Sequence, residues 1–337
     1  MKAIVVTRYG KTEEVVELRD MPAPVVGPRD VLIEVHAASV NPIDFKMQQG
    51  ELKAVRKLQF PYIMGFDVSG VVKAVGSEVY GFQPGEAVYS RVDGERFGTF
   101  AELVAVDEQF VAHKPARLSH AEAASLPLVA LTSWQAFGRA SLKAGQRVLV
   151  HAGAGGIGTI AIQIARALGA KVATTTSARN VELVRSLGAD TVVDYQQQQF
   201  DTVLSNYDMV LETLGGDNQR RSFSVLKPGG MLVSILGVPT AAWARKQKLP
   251  FFMPWLFGWL NRGNDKLARQ HKVQWDMLLM QPDGQQLRGI SDLVEAGLVA
   301  PVIDRVFPLA QAKQALLHSQ SGRARGKIVI EVKPAAA

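Results

Sequence analysis

The stretch Arg147-Val148-Leu149-Val150-His151-Ala152-Gly153-Ala154-Gly155-Gly156-Ile157-Gly158 decides how this chain folds. Arg147 to Val150 make a short apolar strand, and glycines 153, 155 and 158 fall at G-x-G-x-x-G spacing. Behind them Ile160, Ile164, Ala165 and Leu168 give the inward face of a helix that Gly169 closes. Each glycine has an expected task in a dinucleotide-binding turn. Gly153 permits the tight exit from the strand, Gly155 lets backbone approach a pyrophosphate, and Gly158 lets the helix lie close on the sheet. The helix that follows the turn Gly153-Ala154-Gly155-Gly156-Ile157-Gly158 begins with unpaired N–H groups and the positive end of its dipole, a natural anion site. The pattern alone is weak evidence; the strand before it and the helix after it supply the context it needs. The stretch is expected to bind a dinucleotide.

The next strand, Lys171 to Thr176, says which one. A preference for NAD usually places an Asp or Glu about 20 residues after the first glycine, on the ribose hydroxyls. Here the chain continues Thr176-Ser177-Ala178-Arg179-Asn180, without a carboxylate. A hydroxyl and a guanidinium hold a 2′-phosphate, which a carboxylate would repel. Ser177 also suits a helix N-cap, and the two roles are compatible. NADP(H) is the expected cofactor.

Composition sets the outer bounds. The 337 residues suffice for two domains, and 47% hydrophobic with 20% charged residues is ordinary for a globular protein. The first residues, Met1 to Val6, read as a strand and not as a signal peptide, so cytoplasm is the default expectation. No apolar run is long enough to span a bilayer. A net charge of +7 without a basic tail points to an anionic ligand more than to nucleic acid. There is no cysteine, which removes disulfides, thiol catalysis and thiolate metal sites together. The six histidines, His36, His113, His120, His151, His271 and His318, show no metal-ligand spacing.

Three zones follow along the chain. Residues 1–120 are strand-rich, with alternation in Val31–Ala37 and Gly70–Gly76 punctuated by glycine and proline, as in a compact β-barrel or sandwich. Residues 121–282 alternate strands with helices, the strand candidates being 147–150, 171–176, 191–193, 208–212 and 231–236, which implies a parallel sheet covered on both faces. Residues 283–337 hold a helix from Leu287 to Glu295, an extended run from Pro301 to Phe307, a helix near 309–318 and a strand at Lys327–Ile330. This tail has no evident sheet partner of its own and is expected to return to the first domain.

The order of the motifs resembles the medium-chain dehydrogenase/reductase superfamily, in its zinc-free quinone and enone reductase branch. The matching segments are Ala38-Ser39-Val40-Asn41-Pro42-Ile43-Asp44-Phe45-Lys46, Gly65-Phe66-Asp67-Val68-Ser69-Gly70, Gly98-Thr99-Phe100-Ala101-Glu102, Leu126 to Thr132, Leu187-Gly188-Ala189-Asp190, Lys227-Pro228-Gly229-Gly230 and Gly326 to Ile330. The resemblance implies an α/β chain made of a GroES-like β-barrel catalytic domain and a Rossmann domain with a doubly wound parallel sheet, and a homodimer joined through the Rossmann sheet edge. Zinc-dependent members carry a Cys in the loop here occupied by Asn41-Pro42 and a His-Glu pair after the glycine matching Gly65. This chain has Phe66-Asp67 there. Alcohol oxidation needs a Lewis acid, and these residues offer none.

The chemistry left is hydride transfer to an acceptor already electrophilic, a quinone or an α,β-unsaturated ketone or aldehyde. By the resemblance, Asn41, Asp44 and Lys46 line the substrate pocket: Lys46 reaches the cofactor ribose or the enolate oxygen, Asn41 donates through its amide, and Asp44 positions Lys46. On the residues alone, Asn41-Pro42 is also a common turn and Asp44–Lys46 a solvated charge pair. The resemblance also assigns Thr132 to the nicotinamide, Tyr195 to the adenosine phosphate, Leu236-Gly237 to the nicotinamide half, and the basic run Arg323, Arg325 and Lys327 to the 2′-phosphate. Thr132 would otherwise cap a helix, and Tyr195 would be a strand-edge aromatic. Some relatives keep the dinucleotide site as structural or RNA-binding proteins, so a non-enzymatic NADPH-binding protein is the alternative. Residues 241–275 fit the pattern poorly: Leu249-Pro250-Phe251-Phe252-Met253-Pro254-Trp255-Leu256-Phe257-Gly258-Trp259-Leu260 is flanked by Arg and Lys. A substrate-pocket lid, an oligomer contact and a peripheral membrane anchor all suit that composition, in that order.

Overall fold

The alternation that begins at Val31 runs through the longest strand of the chain, Asp30–Val40, and three other strands pair directly with it. A computed structural model describes residues 1–53 and 57–334. The chain forms two units, Met1–Leu131 with Gln281–Ala337, and Thr132–Met280. The first division falls inside the helix Pro127–Arg139, later than the boundary at 120 drawn from composition, because that helix is continuous across it.

In the first unit a seven-stranded sheet runs in the order Ile303–Pro308, Lys327–Glu331, Asp30–Val40, Asp67–Val75, Ala87–Arg91, Val111–His113, with Leu103–Asp107 also on Asp30–Val40. All its pairs are antiparallel except Ile303–Pro308 with Lys327–Glu331. The tail therefore brings a sheet partner with it, which the sequence reading missed. The parallel pair then joins Asp30–Val40 as a block. A smaller sheet orders Val16–Asp20, Lys2–Val6 and Tyr62–Ile63. Ile4, Met64, Phe100, Leu316 and Ile330 pack in one core, and Val31, Ile33, Phe66, Val68 and Val88 in a second.

The second unit is a six-stranded parallel sheet in the order Thr191–Asp194, Lys171–Thr176, Arg147–Val150, Tyr207–Glu212, Leu226–Ser234, Gln274–Met277. Strand order reverses on either side of Arg147–Val150, so its C-terminal end is the topological switch point where such sheets bind ligands. The sixth strand lies at the end of the segment that had fitted the pattern poorly. Gln274, Trp275 and Asp276 give it little apolar signature, and it forms because Leu232 and Val233 offer a free sheet edge. Among the described residues no helix is long and apolar enough to cross a membrane.

The returning helix Gly284–Glu295 is fastened to the barrel by the fully buried Tyr89, whose hydroxyl donates to Leu287 O at 2.6 Å and lies 2.9 Å from Ser291 Oγ. Tyr89→Phe should cost about 1–2 kcal/mol through this lost bond. A drop of a few degrees in unfolding midpoint by differential scanning calorimetry is expected, and an unchanged midpoint would show that the fastening carries no energy.

Candidate functional site

The glycine turn leaves the central strand through Ala152, whose φ of 52° is the only left-handed conformation in the turn. Gly153, read as permitting the tight exit from the strand, does not take a left-handed φ. Its lack of a side chain serves packing instead: a Cβ there would stand 2.1 Å from Thr174 Oγ1, which donates to Val150 O at 2.7 Å. A Cβ on Gly158 would stand 2.3 Å from Ala152 O and 2.6 Å from Gly153 Cα, so helix Gly156–Ala167 lies on the turn as closely as expected. Gly155 meets only Ala152 O, at 3.2 Å, and it caps this helix with no side-chain hydrogen bond. Gly155 N–H donates to Ala152 O at 2.9 Å, and the first helical N–H groups, at Gly156 and Ile157, form a helix N-terminus of the kind that suits a pyrophosphate. Polar groups buried beneath it hold the turn. Ser222 Oγ donates to Asn218 O, so it accepts from His151 Nε2, 2.9 Å away. His151 Nδ1 then accepts from Thr175 Oγ1, which in turn accepts from Ala152 N. Burial lowers the His151 pKa to about 4, so the ring stays neutral and this tautomer persists.

At the neighbouring strand end, Lys171–Thr176 runs into Ser177 and the short turn Ala178–Asn180. Ser177 Oγ makes no cap bond and accepts only from Asn180 Nδ2, at 3.3 Å, while Asn180 Oδ1 is buried with no partner. Arg179 is exposed and makes no hydrogen bond or ion pair with any described residue. Tyr195, 62% exposed, donates its backbone N–H to Thr176 O and so stands at the same strand ends. A hydroxyl whose proton is unspent and a guanidinium with no partner among the described residues can donate to a phosphate, and the buried amide oxygen can accept from a ribose hydroxyl, with no carboxylate at the strand terminus. On the other side of the switch point, buried Glu212 accepts from Leu214 N, Gly215 N and Ser234 Oγ, ordering a loop that sequence reasoning did not single out. Ser234 Oγ accepts from Leu236 N at 3.2 Å, and Gly237 follows at φ 108° with open space around it. Thr132 lies buried in the second turn of helix Pro127–Arg139, not at its cap.

In the first unit the Asn41–Lys46 segment is the start of helix Pro42–Gln49, and its contacts differ from those expected. Asp44 does not position Lys46. Its Oδ2 accepts from Asn41 N at 2.7 Å, while Oδ1 is buried without a partner against Met47, Tyr62, Met64, Phe66 and Phe97. Burial, with the nearby Asp67 carboxylate adding to it, raises the Asp44 pKa to about 7. The Asn41 amide is fully engaged: Nδ2 donates to Asp67 Oδ2 at 2.8 Å and Oδ1 accepts from Lys327 Nζ. It is a structural cap and not a free donor to substrate. Lys46 is half-buried, and its ammonium makes no hydrogen bond or ion pair with a described residue.

Lys327 is the largest correction. It does not form a surface cluster with Arg323 and Arg325, which stay exposed. Only 4% exposed, its ammonium donates to Val40 O at 3.1 Å and to Asn41 Oδ1, and lies 3.5 Å from Asp67 Oδ2. Three donors meet three acceptors. Burial pulls its pKa below the usual lysine value, and Asp67 and Asp44 oppose that shift. Asp67 Oδ2 also accepts from Ser39 Oγ, and Oδ1 accepts from Leu128 N at the start of helix Pro127–Arg139. The departure Phe66-Asp67 was the signal that could have found this network, since a fully buried carboxylate requires a buried cation or several donors. Both Asp67 oxygens are occupied and an ammonium stands beside them, so these residues do not fit a zinc ion. Among the described residues no group of three or more His, Cys, Asp or Glu is gathered to hold a metal.

Asp44 makes stability depend on pH in a defined sense. Its folded pKa of about 7 lies above the ordinary 3.8, so the folded state binds more protons between those values, and the group's support is full below about pH 4 and lost as pH rises through 7. Asp44→Asn keeps an acceptor for Asn41 N without the titration. Its unfolding midpoint should rise above that of the parent as pH increases from 5 to 8, by the equivalent of on the order of 3 kcal/mol. A difference independent of pH would mean that Asp44 is ionised throughout.

Comparison with known proteins adds to this geometry. Residues 27–116 match the alcohol dehydrogenase GroES-like domain and residues 187–330 the zinc-binding dehydrogenase domain. The chain is 35% identical to the mouse protein named NAD(P)H oxidoreductase RTN4IP1, mitochondrial, over 98% of this chain and 89% of that one. It is 34% identical to 2-methylene-furan-3-one reductase of Solanum lycopersicum, over 99% and 80% of the two chains. The quinone oxidoreductase structure from Coxiella burnetii superposes with a TM-score of 0.85 at 33% identity, covering 99% of both chains. The chain belongs to the medium-chain dehydrogenase/reductase superfamily, among its NAD(P)H-dependent quinone and enone oxidoreductases.

Proposed function

We propose that the protein is an NADPH-dependent reductase that passes hydride to a quinone or an α,β-unsaturated carbonyl without a metal. The observation that carries this reading is Lys46: an unpaired ammonium on a helix whose first turn is pinned from within by Asn41, Asp67 and Lys327. The relatives named as a furanone reductase and a quinone oxidoreductase support the acceptor class. The preference for NADPH over NADH rests on Ser177, Arg179 and Asn180 at a strand end without a carboxylate. Thr132, Tyr195, Leu236 and Gly237 keep their assigned contacts in this reading, with Arg323 and Arg325 as further phosphate contacts.

Bound NADPH supplies the hydride. The β-carbon of an enone takes it, the π pair shifts to the carbonyl oxygen, and the resulting enolate gains a proton at the α-carbon; a quinone gains hydride and proton to become a hydroquinone. Lys46 places positive charge at the oxygen where the negative charge arrives, and such a donor is worth about 10²-fold in rate or more. The glycine turn holds the pyrophosphate through backbone N–H groups. Asp44, two residues away on the helix, points to another face and does not pair with the Lys46 ammonium.

Lys46→Ala should lower kcat for cyclic enones, alkenals or quinones by about 100-fold while NADPH affinity, read by fluorescence titration, stays nearly constant. If the parent protein binds NADPH yet reduces no acceptor in such a panel, the chain is a cofactor-binding protein and not a reductase. Arg179→Ala should lower kcat/KM for NADPH by about tenfold or more and leave NADH unaffected. An unchanged ratio between the two cofactors would remove Arg179 from the phosphate site.

A further inference from the structure

Helix Phe252–His271 carries two opposed faces. Asn261 and Ala268 turn into the second unit, where Asn261 Nδ2 donates to Pro239 O at 2.9 Å and to Val238 O at 3.3 Å. Asp265, the one acidic residue between 241 and 272, is held inward by Trp275 Nε1 at 2.9 Å. The opposite face presents Phe252, Trp255 and Trp259 and then Arg262 and Lys266, a single stripe at helical spacing. Phe251, just before the helix, is 94% exposed and Trp255 73%. A monomer's surface rarely gathers so many large aromatics without a partner for them.

The charge around this stripe is one-sided. Seven Lys or Arg against one Asp lie between 241 and 272, in a chain whose whole net charge is +7. All seven are exposed, and none forms an ion pair with a described residue. Arg245, Lys246 and Lys248 lie on the short helix and turn before Phe251, and the Arg262 guanidinium stands 5.0 Å over the Trp259 ring.

We propose that this face docks on an anionic lipid bilayer, with Phe251, Phe252, Trp255 and Trp259 seated at the acyl–headgroup boundary and the flanking Arg and Lys on the headgroups. Aromatic and basic side chains sharing one face of a helix match the chemistry of a membrane interface. A symmetric contact between two copies would set two strongly basic patches against each other. The helix lies on the membrane and does not cross it. This docking is independent of the reductase reading, since it is measured without turnover.

The test is flotation of the full-length protein with phosphatidylcholine vesicles, with and without phosphatidylserine. Partition onto the anionic vesicles is expected, weakened by salt and accompanied by a blue shift of tryptophan emission. Phe251→Ser with Trp255→Ser should abolish the blue shift and most of the binding, and Arg245→Gln with Lys248→Gln should lower partition about fivefold per charge. Each variant must retain the parent's NADPH affinity and unfolding midpoint. Equal partition onto both vesicle types, no partition, or partition untouched by these changes would overturn the proposal. So would binding to oligonucleotides in place of vesicles, or a concentration-dependent dimer that the aromatic changes dissolve.

Discussion

One ammonium inside the barrel organises the first unit. Removing a charge from water costs several kcal/mol unless partners replace its hydration. Lys327 meets that demand with Val40 O, Asn41 Oδ1 and Asp67 Oδ2, and Asp67 meets its own with Ser39, Asn41 and Leu128. The arrangement is rigid because each member is saturated. Loss of one partner strands a charge, whereas loss of the whole set would leave ordinary barrel packing. Its consequence is positional. The last strand of the chain fixes the turn that opens helix Pro42–Gln49, 286 residues earlier, so the Lys46 ammonium is set only when both ends of the sequence have met.

The second unit solves its comparable problem with neutral groups. An Ala at left-handed φ is unfavourable, and the turn holds it through Thr175, neutral His151 and Ser222. The hydrogen bonds run beneath the turn, Gly155 N–H closes it on Ala152 O at 2.9 Å, and the first N–H groups of the helix, at Gly156 and Ile157, remain for an anion. Asp67 and Glu212 play parallel roles in the two units, each a buried carboxylate spent on backbone N–H groups that order a neighbouring segment.

The sequence exposed what depends on local pattern. Glycine spacing, alternation of strands with helices and the missing carboxylate after Thr176 are short-range signals, and the Rossmann unit was legible from them. What it hid depends on partners distant along the chain. Lys327 looks like one of three surface cations because Arg323 and Arg325 precede it, and only the pairing of Lys327–Glu331 with Asp30–Val40 turns it inward. Spacing records that a glycine is required at 153 but not what requires it; the close neighbour, Thr174, lies on another strand. Strand Gln274–Met277 escaped because an edge strand needs only a free neighbour.

Charge placement within helix Pro42–Gln49 follows from these constraints. Asp44 and Lys46 are two residues apart, which on a helix points them to different faces. The face bearing Asp44 is the one Asn41 and Met47 bury, so its carboxyl loses water and holds its proton near neutrality. Helix geometry therefore keeps the acid from pairing with the base, and the helix start that sets both rests on the cap that Lys327 holds in place.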